Sequence, residues 1–310
     1  MRNSKPFDTT GCVACDDLGA SVKTIKSIPG LSVSRCMKCG FVIGHFPPLS
    51  MLSQYGHINV ENYMGSLGMM RKDDAVFHVD LVLQSGPPVL KWLDVGCGIA
   101  SVLAEAKKRG FAVFGVEPDP IAKKLAIEAT GAAIIDEFTN DALPDESQGV
   151  ISMLDFLEHI EPPNLMNVAF IVRKKLADEG LWLIKVPSSD GLFYLLASFV
   201  ARWAPFLVVD VIKRLWMFEY KFPHRVYFSE YSLSAFLRRN GFIIEGIHYT
   251  AAMPTGTILK RLQMNSTLSS YKVLLLAPLA VIINLVEKLR RRSDSLVILA
   301  RKPGSTPRST

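Results

Sequence analysis

The first residues, MRNSKPFDTTG, contain no apolar run. A secretory signal peptide needs one, so its lack predicts a protein that stays in a reducing cytoplasm, where disulfides do not persist. Charge is sparse as well: 21% of residues are charged against 49% hydrophobic, which excludes a disordered chain. No internal repeat is present. The mean hydropathy of +0.24 leaves an apolar surplus that predicts a surface for a partner or a membrane. No late run is long enough to span a bilayer comfortably: Val273 to Val286 is short and holds Pro278 and Asn284. Lys288, Arg290, Arg291 and Arg292 follow it, as in a helix lying at an anionic membrane face. A lid on another apolar segment or a dimer face would explain the run equally. Much of the net charge of +6 sits in this one cluster, so it says less than a basic face would.

Cysteine is scarce, but its placement is informative. Four of the five cysteines form Cys12-x2-Cys15 and Cys36-x2-Cys39, about 20 residues apart, the spacing of two knuckles closing one tetrahedral metal site. Four thiolates leave no open position, so the expected zinc is structural and does not activate water. At 310 residues the chain should form one main domain with attachments. Residues 1–45 are the expected zinc ribbon, with a short hairpin between the knuckles. Residues 46–88 are a linker ending in a helix from Met69 to Gln84; its Tyr55 and Tyr63 either close over a ligand or pack on the core. The ribbon carries no basic stripe with interleaved aromatics, since Asp8, Asp16 and Asp17 offset its lysines, so no nucleic acid is expected as partner.

From Val89 the pattern alternates. Strands are predicted at Val89 to Val95, Ala112 to Glu117, Ala133 to Ile135, Gly149 to Leu154 and from Gly180 to Pro187. Helices fall between them at Ala100 to Arg109, Pro120 to Ala129 and Asn164 to Leu176, and this alternation builds a parallel, doubly wound sheet. Two apolar helical insertions interrupt it, at 191–222 and 268–292, the first split by Pro205. Between them come a helix across Glu230 to Arg239 and a strand from Phe242 to His248. A last strand runs from Leu296 to Arg301, completing the main domain at 302, and residues 303–310 are an expected disordered tail.

The chemistry centres on KWLDVGCGIAS, Lys91 to Ser101. A dinucleotide turn would be G-x-G-x-x-G or A; here the third place is Ser101. Asp94 stands just before the glycines, where a carboxylate repels a pyrophosphate but accepts hydrogen bonds from an ammonium group. Glu117 closes the next strand, where a carboxylate can take both hydroxyls of a ribose. Acids at two adjacent strand ends suit a cationic nucleoside better than a phosphate. Without a ligand these residues would be a plain strand, turn and helix.

LDVGCG, FGVEPDP, ISMLDFLEHI and GLWLIKVPSSDG, in that order, resemble the motifs of class I S-adenosylmethionine-dependent methyltransferases. The resemblance implies an α/β, Rossmann-like doubly wound sheet bearing the N-terminal zinc ribbon and the apolar helical insertions. It also implies S-adenosyl-L-methionine as cofactor. Gly96 and Gly98 would lie near its methionine part, Glu117 on its ribose, and Leu154 and Asp155 beside the methionine moiety. The adenine contact would come from Asp136, Phe138 or Thr139. The order of ribbon, CGFVIGHFPP, core and HRVYFSEYSLSAFLRRNGF is similar to small-molecule methyltransferases of polysaccharide, lipid-linked sugar and quinone biosynthesis. In the related sugar C-methyltransferases the late segment reads H-E-H-x-x-Y-F. Here Phe222 and Pro223 replace its first residues and only His224 and Tyr227 remain, which argues against ketosugar C-methylation. One histidine suffices as a general base for a hydroxyl, so His224 is a candidate catalytic residue, unless it only caps its turn. His159, beside Glu158, is a second candidate whose alternative is a structural hydrogen bond. The implied acceptor is a sugar or lipid-linked hydroxyl, reached in the cytoplasm or at the inner membrane face through 192–218 and 271–292. RNA methylation and a non-catalytic membrane-docked adaptor are the competing functions.

Overall fold

The computed structural model of the protein describes residues 12–15, 22–28, 31–46, 73–139, 141, 143–203, 212, 215–217, 222–250, 281–282, 285–286 and 293–304. Asp8, Asp16, Asp17, Tyr55, Tyr63, Pro205, most of the second insertion and the last six residues lie outside them. The ribbon strands are β1 (Val22–Ile28), β2 (Leu31–Cys36) and β3 (Val42–His45). Helix α1 (73–84) leads into the main domain. There follow β4 (Lys91–Val95), α2 (Ser101–Lys108), β5 (Ala112–Val116), α3 (Pro120–Thr130) and β6 (Ala133–Ile135). Next come β7 (Gln148–Leu154), a short 3₁₀ turn (Leu157–His159), α4 (Leu165–Lys175), β8 (Leu176–Pro187) and α5 (Leu192–Trp203). The described chain ends with β9 (Val226–Tyr227), α6 (Glu230–Arg239), β10 (Ile243–Thr250) and β11 (Ser295–Arg301).

Local chemistry explains the element ends. Asp119 caps α3 by accepting from the N–H groups of Ile121 and Ala122, both at 3.0 Å, with Pro120 in the first turn and Gly131 beyond the end at φ 62°. Ser229 caps α6 through a reciprocal box with Ser232. Strand β7 is buried over six of its seven positions, as expected of a central strand covered on both faces.

Seven strands form the main sheet in the order β10-β11-β8-β7-β4-β5-β6. Strands β4, β5, β6, β7 and β8 are parallel to their neighbours, but β11 runs antiparallel to both β8 and β10. The strands that alternate with helices are thus parallel, as the sequence predicts, and the antiparallel pairing is confined to the late strands β10 and β11. The Ser188 N–H donates to Asp294 O at 2.7 Å, so the chain re-enters at the carboxyl edge of β8 and must run back down the sheet. Strand order reverses between β4 and β7, and a crevice opens at the carboxyl ends beside such a reversal.

The ribbon is joined to this core. Its sheet continues β1-β2-β3-β9, with Val42 opposite Tyr227 and Ile43 opposite Val226. Phe41 packs on Phe228 with ring centroids 5.0 Å apart. Ser229 Oγ donates to Cys39 O at 3.1 Å and Arg239 Nη1 to Val13 O at 2.9 Å. Cys12, Cys36, Cys39 and Phe41 share one buried cluster with Leu93, Ile151 and Phe236. The expected two-strand hairpin is thus part of a four-stranded sheet whose last strand belongs to the main domain. At the far end, the Gly304 N–H still donates to Glu179 Oε1 at 2.7 Å.

Helix α5 turns Tyr194, Ala197 and Ala201 into a cluster with Trp216 and Tyr227 and leaves Leu196, Phe199 and Trp203 exposed. Among the described residues, no helix is long and apolar enough to cross a membrane.

Candidate active site

The turn after β4 needs its glycines. Gly96, Gly98 and Ala100 all take positive φ, at 75°, 54° and 60°, so the backbone coils left-handed at alternate residues, where a side chain costs about 1–2 kcal/mol. A Cβ on Gly96 would also lie 2.7 Å from Phe156 Cδ2. Glu117 fastens the turn from the next strand: its Oε2 accepts from the Gly98 N–H at 2.8 Å and its Oε1 from the Asp119 N–H at 2.9 Å. Asp94 is only 4% exposed and is aimed by a relay in which Trp92 Nε1 donates to Ser152 Oγ at 2.8 Å and Ser152 Oγ to Asp94 Oδ1 at 2.6 Å.

A cleft opens at the switch between β4 and β7, lined by Asp94, Gly96, Leu154 and Asp155. It is also lined by Asp74 and His78 of α1 and by Lys185 of β8. Lys185 Nζ lies 3.0 Å from Asp74 Oδ2 and 3.6 Å from Asp155 Oδ2. His78 is 1% exposed, and both its ring nitrogens lack a partner among the described residues. Burial first, then Lys185, holds its imidazole down to about 4, so it faces the cleft neutral near pH 7. Burial pushes the Cys97 thiol up, which makes it a small apolar filler and no nucleophile.

Beyond Asp155, which itself has φ 55°, the 3₁₀ turn presents Glu158 and His159. His224 comes to them from the segment before β9: the two imidazole centroids are 5.0 Å apart, and the Arg225 N–H donates to Glu158 O at 2.6 Å. His159 Nδ1 donates to Pro223 O at 3.2 Å. Tyr227 Oη donates to Leu215 O, so its remaining interaction, at 3.0 Å, accepts from His224 Nδ1. Burial lowers both imidazoles, His224 to about 3, and raises the Glu158 carboxyl. In the ribbon, Cys12, Cys15, Cys36 and Cys39 bring four Sγ atoms within 4.8 Å of one another. The Cys12 and Cys39 atoms are 3.6 Å apart and those of Cys15 and Cys36 3.9 Å.

A family model described as a methyltransferase domain matches residues 73–245. The chain belongs to this family. It is a class I S-adenosylmethionine-dependent methyltransferase. A search of curated proteins gives no match. Among solved structures it resembles a SAM-dependent methyltransferase from Archaeoglobus fulgidus, with 18% identity over 75% of this chain and 94% of that one and a TM-score of 0.50. It also resembles geranyl diphosphate C-methyltransferase from Streptomyces coelicolor A3(2), solved with Mg2+, geranyl diphosphate and S-adenosyl-L-homocysteine. There identity is 12%, coverage 82% and 87%, and the TM-score 0.52. These likenesses concern the fold.

Of the methyltransferase residues singled out from sequence, Asp94, Gly96, Leu154 and Asp155 meet in one cleft, while Gly98 and Glu117 are bonded to each other at its turn. His159 and His224 meet beside Glu158. Sequence reasoning missed Asp74, His78 and Lys185. The last stands within GLWLIKVP, where a lysine in an apolar strand was a usable signal; a histidine in a helix offered none.

Proposed function

We propose that the enzyme transfers the methyl group of S-adenosylmethionine to a hydroxyl of a small molecule, a sugar, glycolipid or other lipid-linked acceptor. The observation that carries this reading is the convergence of His159 and His224 beside Asp155, at the carboxyl edge that also holds the cleft. The cleft fits the cofactor chemically. The orphaned His78 can donate to a carboxylate, Asp94 and Asp155 answer an ammonium, the glycine turn admits close backbone approach, Leu154 borders the methionine part, and Glu117 suits ribose hydroxyls. The bound cofactor supplies a methyl already activated on a sulfonium. The chain's own residues therefore mainly align the acceptor, and its one proton passes to one of the paired imidazoles, His224 or His159. The exposed residues of α5 support an acceptor with an apolar tail: Tyr194 of the same helix packs 4.7 Å from Tyr227, which holds His224. The thiols of Cys12, Cys15, Cys36 and Cys39 would hold a structural zinc, since four convergent sulfurs match its preferred ligand set.

Incubation of the enzyme with S-adenosylmethionine and either lipid extracts or sugar-nucleotide pools tests the acceptor class by S-adenosylhomocysteine formed. Product with the lipid fraction supports the apolar-tailed acceptor, product with soluble sugars alone removes that tail, and product with neither sinks the hydroxyl reading. Two cofactor-site variants give sharper numbers by calorimetry. His78→Leu is expected to weaken S-adenosylhomocysteine binding about tenfold to a hundredfold, the worth of one charged hydrogen bond; unchanged affinity would show that the imidazole faces no ligand. Gly96→Ala, with its left-handed φ and the Phe156 ring in the way, is expected to lose about tenfold or more. Full binding by that variant would place the cofactor elsewhere.

A further inference from the structure

Glu158 is 1% exposed, and its Oε2 has no partner among the described residues. Beside it stand His159 and His224. The Pro223 carbonyl can only accept, so His159 Nδ1 carries the hydrogen of that bond. The Tyr227 hydroxyl spends its own hydrogen on Leu215 O, so His224 Nδ1 carries the hydrogen there too. Each neutral ring therefore keeps its lone pair on Nε2. One ligand atom from each of Glu158, His159 and His224 lies within 4.8 Å of the other two. The convergence of these three groups around a buried carboxyl oxygen without a described partner is answered either by a proton shared within the cluster or by a cation. Arg225, the nearest guanidinium in sequence, is already paired with Glu161 at 3.1 Å and stacked over Phe46 at 4.8 Å.

We propose that Glu158, His159 and His224 form a second metal site, for a divalent transition cation such as zinc, separate from the four thiols of the ribbon. Two imidazoles and one carboxylate are a three-ligand set with an open position, the pattern of catalytic zinc, whereas the ribbon set is closed. The outer shell is also that of a metal site: each ligating ring has its other nitrogen fixed by an oxygen, and Tyr227 is itself anchored. The inference rests on the methyl-transfer reading and deepens it. The open position is where an acceptor hydroxyl would sit, made more acidic by the ion, and the histidines would act through the ion instead of as free bases.

The test uses the full chain with one equivalent of zinc in the ribbon, titrated with Co2+ alone. The expected result is one equivalent of cobalt taken up with visible d–d absorption and no thiolate-to-metal charge-transfer band. Cobalt on the ribbon sulfurs would announce itself by that band. Glu158→Gln, of the same shape, is expected to abolish the uptake. Tyr227→Phe, which frees the His224 ring, is expected to weaken it about tenfold to a hundredfold. Circular dichroism confirms that each variant is folded. Wild-type protein that takes up no cobalt without the sulfur band, or folded Glu158→Gln that takes it up unchanged, overturns the site and leaves a cluster that shares a proton. Neither cofactor nor acceptor is present, so failure here is distinct from failure of the methyl-transfer reading.

Discussion

Cys39→Ser is expected to unfold the ribbon and to take catalytic activity with it, the largest effect of any single substitution proposed for this methyltransferase. A structural four-thiolate zinc contributes on the order of 10–16 kcal/mol of apparent folding energy to a small domain, comparable to the whole net stability of an ordinary one, about 5–15 kcal/mol. With zinc held by the four thiols as proposed, loss of one ligand would remove the ribbon's main stabiliser. The damage does not stop there. Strand β9 pairs with ribbon strand β3, Ser229 Oγ bonds to the carbonyl of Cys39, and Phe41 covers Phe228. Without the ribbon, the segment carrying His224 loses one side of its support. Unfolding followed by both tryptophan fluorescence and circular dichroism checks this: wild type should melt in one transition, and the variant should lose turnover while keeping part of the sheet. A variant with full turnover would show that the ribbon is a separate appendage. Chelation of the metal should reproduce the same loss reversibly.

His224→Ala is expected to cut turnover by about 10²–10⁴-fold, the usual contribution of a group that assists proton transfer, while S-adenosylhomocysteine binds as in wild type. The split follows from position. His224 touches His159 and Tyr227, whereas the cleft of Asp94 and Gly96 is built from other elements. On the proposed reading, truncation would empty the acceptor side and leave the cofactor side standing. Turnover numbers set beside calorimetric affinity for S-adenosylhomocysteine test it. Equal loss of both would mean that the histidine holds the fold, and loss of neither would make it a turn cap only.

Much of the fold was readable in the chain because its signals are local. The glycines of LDVGCG, the Asp119 cap with Pro120 and the paired C-x2-C knuckles each act within a few residues of themselves, so spacing alone exposes them. The alternation of strands and helices located most of the main sheet for the same reason. The direction of the last strand was not readable, because it depends on which edge of the sheet the second insertion returns to, and no periodicity records that. Nor was the pairing of a two-residue strand, Val226–Tyr227, with the ribbon, since so short a segment carries no pattern of its own.

The site divides along the same line. Sequence by itself determined the turn after β4, the acids at two strand ends and the four-thiol set, because backbone conformation and ligand spacing there are dictated by neighbouring residues. Only the tertiary structure decided that His78 of α1 faces the cleft beside Lys185, and that His224 lies against His159 and Glu158. Those meetings join parts of the chain far apart in sequence. They are fixed by the reversal of strand order between β4 and β7 and by the ribbon sheet closing on β9, which bring the groups together without any of them being neighbours in the chain.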